Sequence, residues 1–233
     1  MIDVEAFKKA HSTFGLRIPN FKTTKCALMA KSTTGLILPS WVDNRDIGSK
    51  TKDQGVLPQC AAYTAASFAE HILRQRDGIV YNFDTQKIYD RAKELDGDKE
   101  DGTTLDHALQ GFLETNPGYF PEDAYIYMIQ PLAGYTNELK RLIVKYGCCM
   151  LGLAITDGWY HADVFSKGWI PSGVYTEGGH AVLAVGYNKN GVIIKNSWST
   201  EWGEQGFAVL SWEDLGKQFI YGCTLIRCMN NFN

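Results

Sequence analysis

The pattern of apolar and polar positions changes character midway along this chain of 233 residues. In CAAYTAASFAEHILRQRDG, Ala and Leu recur on one helical face and Gly78 provides a stop, which predicts a helix with Cys60 at its first position. TQKIYDRAKEL and TTLDHALQGFLE also read as helices, the second opened by a threonine placed as an N-cap, and TNELKRLIVKYG predicts a shorter helix ending at Gly147. From Cys148 onward the texture turns to β-branched and aromatic runs broken by glycine: CCMLGLAIT, HAVLAVGY, GVIIKNSW, GFAVLSW and YGCTLIRC. The KNG turn between the second and third runs is a hairpin signal. Helices first and antiparallel strands afterwards predict an α+β fold of two lobes, with function in the cleft between them.

Composition narrows the function classes. With 45% hydrophobic and 21% charged residues the chain can bury a substantial core, and a net charge of −3 offers no global basic field to hold a nucleic-acid backbone. Acids and lysines interrupt every apolar stretch of MIDVEAFKKAHSTFGLRI, so no signal-peptide core is expected there, and no run near 18 apolar residues predicts a spanning helix. Six cysteines are too sparse for a disulfide scaffold, and no CxxC pair or Cys/His metal spacing occurs. No metal or cofactor is expected. Free thiols favour a reducing compartment such as the cytoplasm, with export lacking a visible signal left open, and a monomer is the default.

Charge divides the chain near residue 40. Residues 1–40 carry Lys8, Lys9, Arg17, Lys22, Lys25 and Lys31 against Asp3 and Glu5, so a basic leader precedes an acidic body. This predicts an extended leader over 1–40 that lies across a body of 41–233, the body divided into a helical lobe over roughly 46–130 and a β lobe over roughly 131–233.

Three stretches carry chemistry when read together: DQGVLPQCAAY, GGHAVLAVGY and KNSWSTEWGEQGF. A nucleophilic thiol must be a thiolate near neutral pH, which asks for about 2 kcal/mol of differential stabilisation. A helix N-terminus supplies about 0.3 to 1 kcal/mol, whereas an imidazolium about 4 Å away supplies up to about 4 kcal/mol at an effective dielectric near 20. Cys60 at a helix start therefore needs a histidine. His180 opens an apolar strand beside Gly178 and Gly179, which let another chain approach, and Asn196 can hold the imidazole so that its other nitrogen faces sulfur.

These residues resemble the papain-like cysteine proteases, from about Trp41 to the C-terminus. As in that family, a Gln-Gly pair stands six positions before the cysteine, and Asn-Ser-Trp followed by Trp-Gly comes 16 residues after the histidine. The resemblance implies Cys60 as nucleophile, His180 as general acid/base, Asn196 as orienter, Gln54 as oxyanion donor, Trp198 as a shield of the His-Asn bond and Trp202 on the leaving-group side. It implies that Gly102 and Thr103 pair with peptide backbone. It also implies that Leu105, Gly152 and Ala181 line an apolar pocket for the side chain two residues before the cleaved bond, with a preference for Leu-, Val- or Phe-like groups. The partner is then a peptide or protein substrate, and the leader a short pro-segment running backward through the cleft to block it.

The chain also departs from the family pattern. Leu57 and Ala61 stand where the family has a cysteine and an aromatic residue, Ser199 replaces a frequent glycine, and Val174 replaces another expected cysteine, consistent with a disulfide-free member. A thiol acyltransferase and a non-catalytic peptide-binding module remain alternatives. Cys148 and Cys149 are expected to pack in the core, Cys223 and Cys228 not to bridge, and His11, His71, His107 and His161 to serve surface or core duty. The stretch Asp157 to His161 reads as a loop, and a disulfide latch through Cys26 is not expected.

Overall fold

The structure, a computed structural model, describes residues 3–20 and 36–227. In chain order its elements are α1 (Val4–Ala10), β1 (Val42–Asp43), α2 (Cys60–Asp77), α3 (Thr85–Asp96), α4 (Leu105–Thr115), β2 (Ala124–Ile129), α5 (Tyr135–Tyr146) and β3 (Cys149–Thr156). A 3-10 turn (Asp157–Tyr160) follows, then α6 (Ala162–Lys167), β4 (Trp169–Ile170), β5 (Tyr175–Tyr187), β6 (Gly191–Lys195), β7 (Phe207–Ser211), α7 (Trp212–Gln218) and β8 (Phe219–Arg227).

The predicted helices form where local signals act together. Gly78 ends α2 in the left-handed conformation, and the Thr104 hydroxyl caps α4 by accepting from the His107 N–H. α2 is alanine-rich because its partners come close: Ala61, Ala62, Ala65, Ala66 and Ala69 are all fully buried. The missing aromatic at position 61 therefore leaves no gap, since a small side chain is what this contact holds.

The strands form one sheet in the order β2-β8-β3-β5-β6-β7-β4, with β1 on β5. β5 explains why HAVLAVGY reads as continuously apolar. Its Ala181, Leu183 and Val185 face a cluster built on α2 and α4, while Val182 and Ala184 face a second cluster with α5 and the tryptophans. The two apolar clusters are the cores of the two lobes of an α+β fold, and β5 is their shared wall.

Several elements lie outside the expectations, among them β2, α7 and α1. β2, within the stretch read as helical lobe, pairs antiparallel with β8 from Ala124↔Arg227 to Ile129↔Gly222; its alternation is too weak locally and the partner strand decides it. α7 forms in a charged stretch because Ser211 caps it and Glu213 and Asp214 sit in its first turn. The leader is not extended throughout, since Asp3 accepts from the Ala6 N–H and starts α1, whose Phe7 is buried. Cys26 and Cys228 lie outside the described residues, and among those described Cys60, Cys148, Cys149 and Cys223 are free, buried thiols.

Candidate active site

Cys60 opens α2, where the helix leaves its first backbone N–H groups without helical partners. The thiol is fully buried. Burial pushes it up to about 11, against backbone hydrogen bonds from Ala181 on β5, Gly15 in the leader, Ala61 and Cys60 itself that favour the anion. Contact with Ala181 brings the sulfur to the strand position next to His180.

His180 is held from one side. Its Nε2–H donates to Asn196 Oδ1 at 2.7 Å, the tautomer following from the acceptor, and its Nδ1 is buried with no hydrogen-bond partner among the described residues. Asn196 Oδ1 also accepts from the Ser197 N–H at 2.8 Å, so the acceptor itself is fixed. Trp198 stacks on the imidazole at 4.7 Å, and Trp159 meets the same ring edge-on at 6.0 Å. Trp202 stands behind them, stacked on Trp159 with its Nε1–H donating to the Trp159 carbonyl. This dry surround pushes the His180 imidazole down to about 4. With the leader in place, burial therefore favours the neutral form of both sulfur and ring.

Gln54 is tied to the asparagine loop. Its N–H donates to the Ser197 carbonyl at 2.9 Å and its Oε1 accepts from the Ser197 hydroxyl at 2.6 Å. Its Nε2 donates to the Leu57 carbonyl at 2.9 Å, a bond that uses one of the two amide protons. Ser199 adopts a φ of 61°, the left-handed region that favours glycine, with its hydroxyl accepting from the Glu201 N–H.

The leader covers the thiol. At Gly15 the chain passes so close to Pro58 that a β-carbon there would lie well inside 3.0 Å of its carbonyl oxygen. Thr103 N–H donates to the Gly15 carbonyl at 2.9 Å, Arg17 N–H to the Thr103 carbonyl at 3.0 Å, and Leu16 N–H to the Gly179 carbonyl at 3.2 Å. Leu16 and Thr103 pair in parallel. Gly102, at φ 79°, lets the Gly15 carbonyl approach its Cα, and the Phe14 ring fills the space that a side chain on Gly178 would take. Leu16 likewise fills the space beside Gly152, against the Tyr221 ring. The paired glycines seen in the sequence thus make room for this chain's own leader.

Of the residues expected around the substrate, Gly102, Thr103 and Gly152 meet the leader, Ala181 meets the sulfur, and Leu105 is buried with its N–H donating to the Tyr221 hydroxyl at 2.9 Å. Sequence reasoning missed Tyr221, whose hydroxyl also donates to the Arg17 carbonyl at 2.9 Å. It missed His11 as well. That ring pairs with Asp53 at 3.0 Å, its carbonyl accepts from the Tyr160 hydroxyl, and its duty is to fasten the leader to the body. Nothing local marks either residue, because Tyr221 and Asp53 meet the leader only through long-range folding. The stretch expected as a loop at Asp157 to His161 is a 3-10 turn that delivers Trp159 and Tyr160 to the aromatic surround. His71 is a buried core histidine as expected, while His107 bonds Asp96 at 2.6 Å.

Comparison with known proteins points the same way. Residues 131–217 match the model of the papain family of cysteine proteases. Cathepsin K of Gallus gallus is 29% identical over 90% of this chain and 70% of its own length. Three rice proteins (Oryza sativa) match over 51% to 57% of their lengths, so the chain spans little more than half of them. Among solved structures, xylellain, a cysteine protease from Xylella fastidiosa, superposes with a TM-score of 0.70 at 19% identity, over 92% of this chain and 96% of that one. Procathepsin B S9 from Trypanosoma congolense superposes with a TM-score of 0.69 at 16% identity, over 94% of this chain and 87% of that one. Among the described residues no helix is long and apolar enough to cross a membrane.

Proposed function

We propose that this chain, which matches the papain family model over residues 131–217, is a papain-like endopeptidase that acts through Cys60 and is held inactive by its N-terminal leader. One observation carries the reading: His180 has one ring nitrogen committed to Asn196 and the other buried without a partner among the described residues, beside a helix-start thiol that the leader covers.

With the leader displaced and the cleft wet, the Cys60 proton passes to His180 Nδ1 and the ion pair forms. The thiolate attacks the substrate carbonyl carbon, and the resulting oxyanion is met by the Cys60 N–H and the remaining amide proton of Gln54. Collapse breaks the C–N bond as Nδ1 returns its proton to the leaving amine, which leaves a thioester on sulfur. Water then attacks the thioester carbonyl, giving its proton to Nδ1, and the acid leaves with regeneration of the thiol. Asn196 fixes the imidazole plane throughout, and Trp198 keeps water from that hydrogen bond. Trp202 backs the ring stack on the leaving-group side.

The leader blocks by direction as well as by bulk. Parallel pairing with Thr103 runs its carbonyls opposite to those of an antiparallel substrate, so it fills the cleft without offering a peptide bond in attacking geometry. The substrate is a peptide or protein, and the apolar space that accepts Leu16 supports a Leu-, Val- or Phe-like residue there. Free thiols at all four described cysteines support work in a reducing compartment. The test is hydrolysis of fluorogenic dipeptides under reducing conditions by the full chain, by a version starting at Leu38 and by Cys60→Ala. Activity released by shortening and lost with Cys60 is expected. Acyl transfer to added amines without hydrolysis, or peptide binding without turnover in every version, would overturn the reading in favour of an acyltransferase or a binding module.

A further inference from the structure

Beyond the pocket filled by Leu16, the next leader residue enters a site of a different kind. Arg17 is held at backbone and side chain at once. Its N–H donates to the Thr103 carbonyl and its carbonyl accepts from Tyr221, while its guanidinium spans Asp98 with Nη1 to Oδ1 at 2.9 Å and Nη2 to Oδ2 at 2.8 Å. Asp96 Oδ2 lies 3.3 Å and Glu100 Oε2 3.6 Å from the same group.

Asp96 makes this a built site. Its side chain is 3% exposed and is fixed by His107 at 2.6 Å, the Thr103 hydroxyl at 3.1 Å and Lys93 at 2.8 Å. Lys93 also reaches Asp98 at 3.0 Å, so it offsets one carboxylate of the three. When the leader leaves, the rim loses Arg17, and among the described residues Lys93 is the lysine that remains in contact with two of its three carboxylates. Thr103, which fixes Asp96, is also the residue whose backbone pairs with the chain in the cleft. Rim and peptide track are therefore joined through Thr103.

We propose that the rim of Asp96, Asp98 and Glu100 is a specificity subsite for an arginine or lysine of the substrate, on the residue one place farther from the cleaved bond than the one in the Leu16 pocket. Arg17 occupies it as a stand-in for that residue. The inference rests on the endopeptidase reading and adds a substrate class to it: peptides with a basic residue followed by an apolar one on the N-terminal side of the cut.

The test uses the full chain with Gly15→Ala and Arg17→Ala, which raises the open population of the leader and takes its guanidinium out of the rim while leaving the residues of cleft and rim unchanged. Three fluorogenic peptides differ only in Arg, Gln or Glu at the third residue before the bond. For a bidentate, partly exposed pair the expected kcat/KM falls about tenfold from Arg to Gln and further to Glu, mostly through KM. Adding Asp98→Asn should bring the three within about twofold. Binding of the same peptides, labelled, to the Cys60→Ala form of this chain separates the two claims by fluorescence anisotropy. Turnover with no preference among the three overturns the subsite and leaves the peptidase. Preference for Arg in binding with no turnover upholds the subsite and overturns the peptidase, and no binding by any peptide overturns both.

Discussion

Gly15→Ala tests the leader at its tightest point. The added methyl lands well inside 3.0 Å of the Pro58 carbonyl, a backbone group two residues before Cys60 that cannot yield without moving α2. The leader must move instead, which strains the bonds from Thr103 N–H to Gly15, Leu16 N–H to Gly179 and Arg17 N–H to Thr103. Weakening two of them at about 0.5 to 1 kcal/mol each, with partial withdrawal of the half-buried Leu16, favours the open leader by about 2 kcal/mol. That raises the open population about thirtyfold. Two assays on the full chain read it: peptide hydrolysis and alkylation of Cys60 by iodoacetamide. Both should rise by about that factor, while circular dichroism stays unchanged and the exposed Ser12→Ala control has no effect. Rates equal to those of the parent chain in both assays would refute the claim that the leader gates the thiol.

Other residues give independent tests. His180 and His71 are each pushed down to about 4, His180 by burial and His71 by burial beside Lys195 and Arg74. Both bind protons more readily when unfolded, so stability is full above about pH 6.5 and falls progressively toward about pH 4, by at most about 3 kcal/mol per histidine. Denaturation midpoints across that range should show the fall and His71→Leu should flatten it; a level profile would count against the burial argument. Gln54→Glu keeps an acceptor for the Ser197 hydroxyl but removes the amide donor, so kcat/KM should drop on the order of 10² to 10³, and an unchanged value would place the oxyanion donor elsewhere. Ser199→Gly relieves the left-handed backbone and should raise stability by about 0.5 kcal/mol in urea unfolding, whereas a loss would mean that the hydroxyl bond to the Glu201 N–H outweighs the strain.

Legibility in the sequence followed the range of the forces involved. Helices α2, α3, α4 and α5 were readable because their caps, stops and periods lie within the segments themselves. Trp169–Ile170 and Ala124–Ile129 were not, since each is too short or too weakly patterned to declare itself and takes its place from a partner far along the chain, β7 for the first and β8 for the second. The cysteine, histidine and asparagine stretches were readable from residue type and spacing. The partners of Gln54 were not, because Ser197 meets it across 143 residues of chain.

The leader divides the two kinds of information most cleanly. Its basic charge and its position ahead of the body are properties of the sequence, as are the small residues at Gly15, Gly102, Gly152, Gly178 and Gly179. Only the fold sets Gly102, Gly152, Gly178 and Gly179 along the leader's path, so that one chain slides between Pro58 and Thr103 with Leu16 and Arg17 in adjacent sites of opposite character. Local propensity and spacing determined the helices and the reactive residue types, since these depend on neighbours within a few positions. Burial of Cys60, the lowered basicity of His180, the His11–Asp53 fastening and the acidic seat of Arg17 were decided by tertiary structure. Each depends on desolvation and hydrogen bonding between segments that only the folded chain brings together.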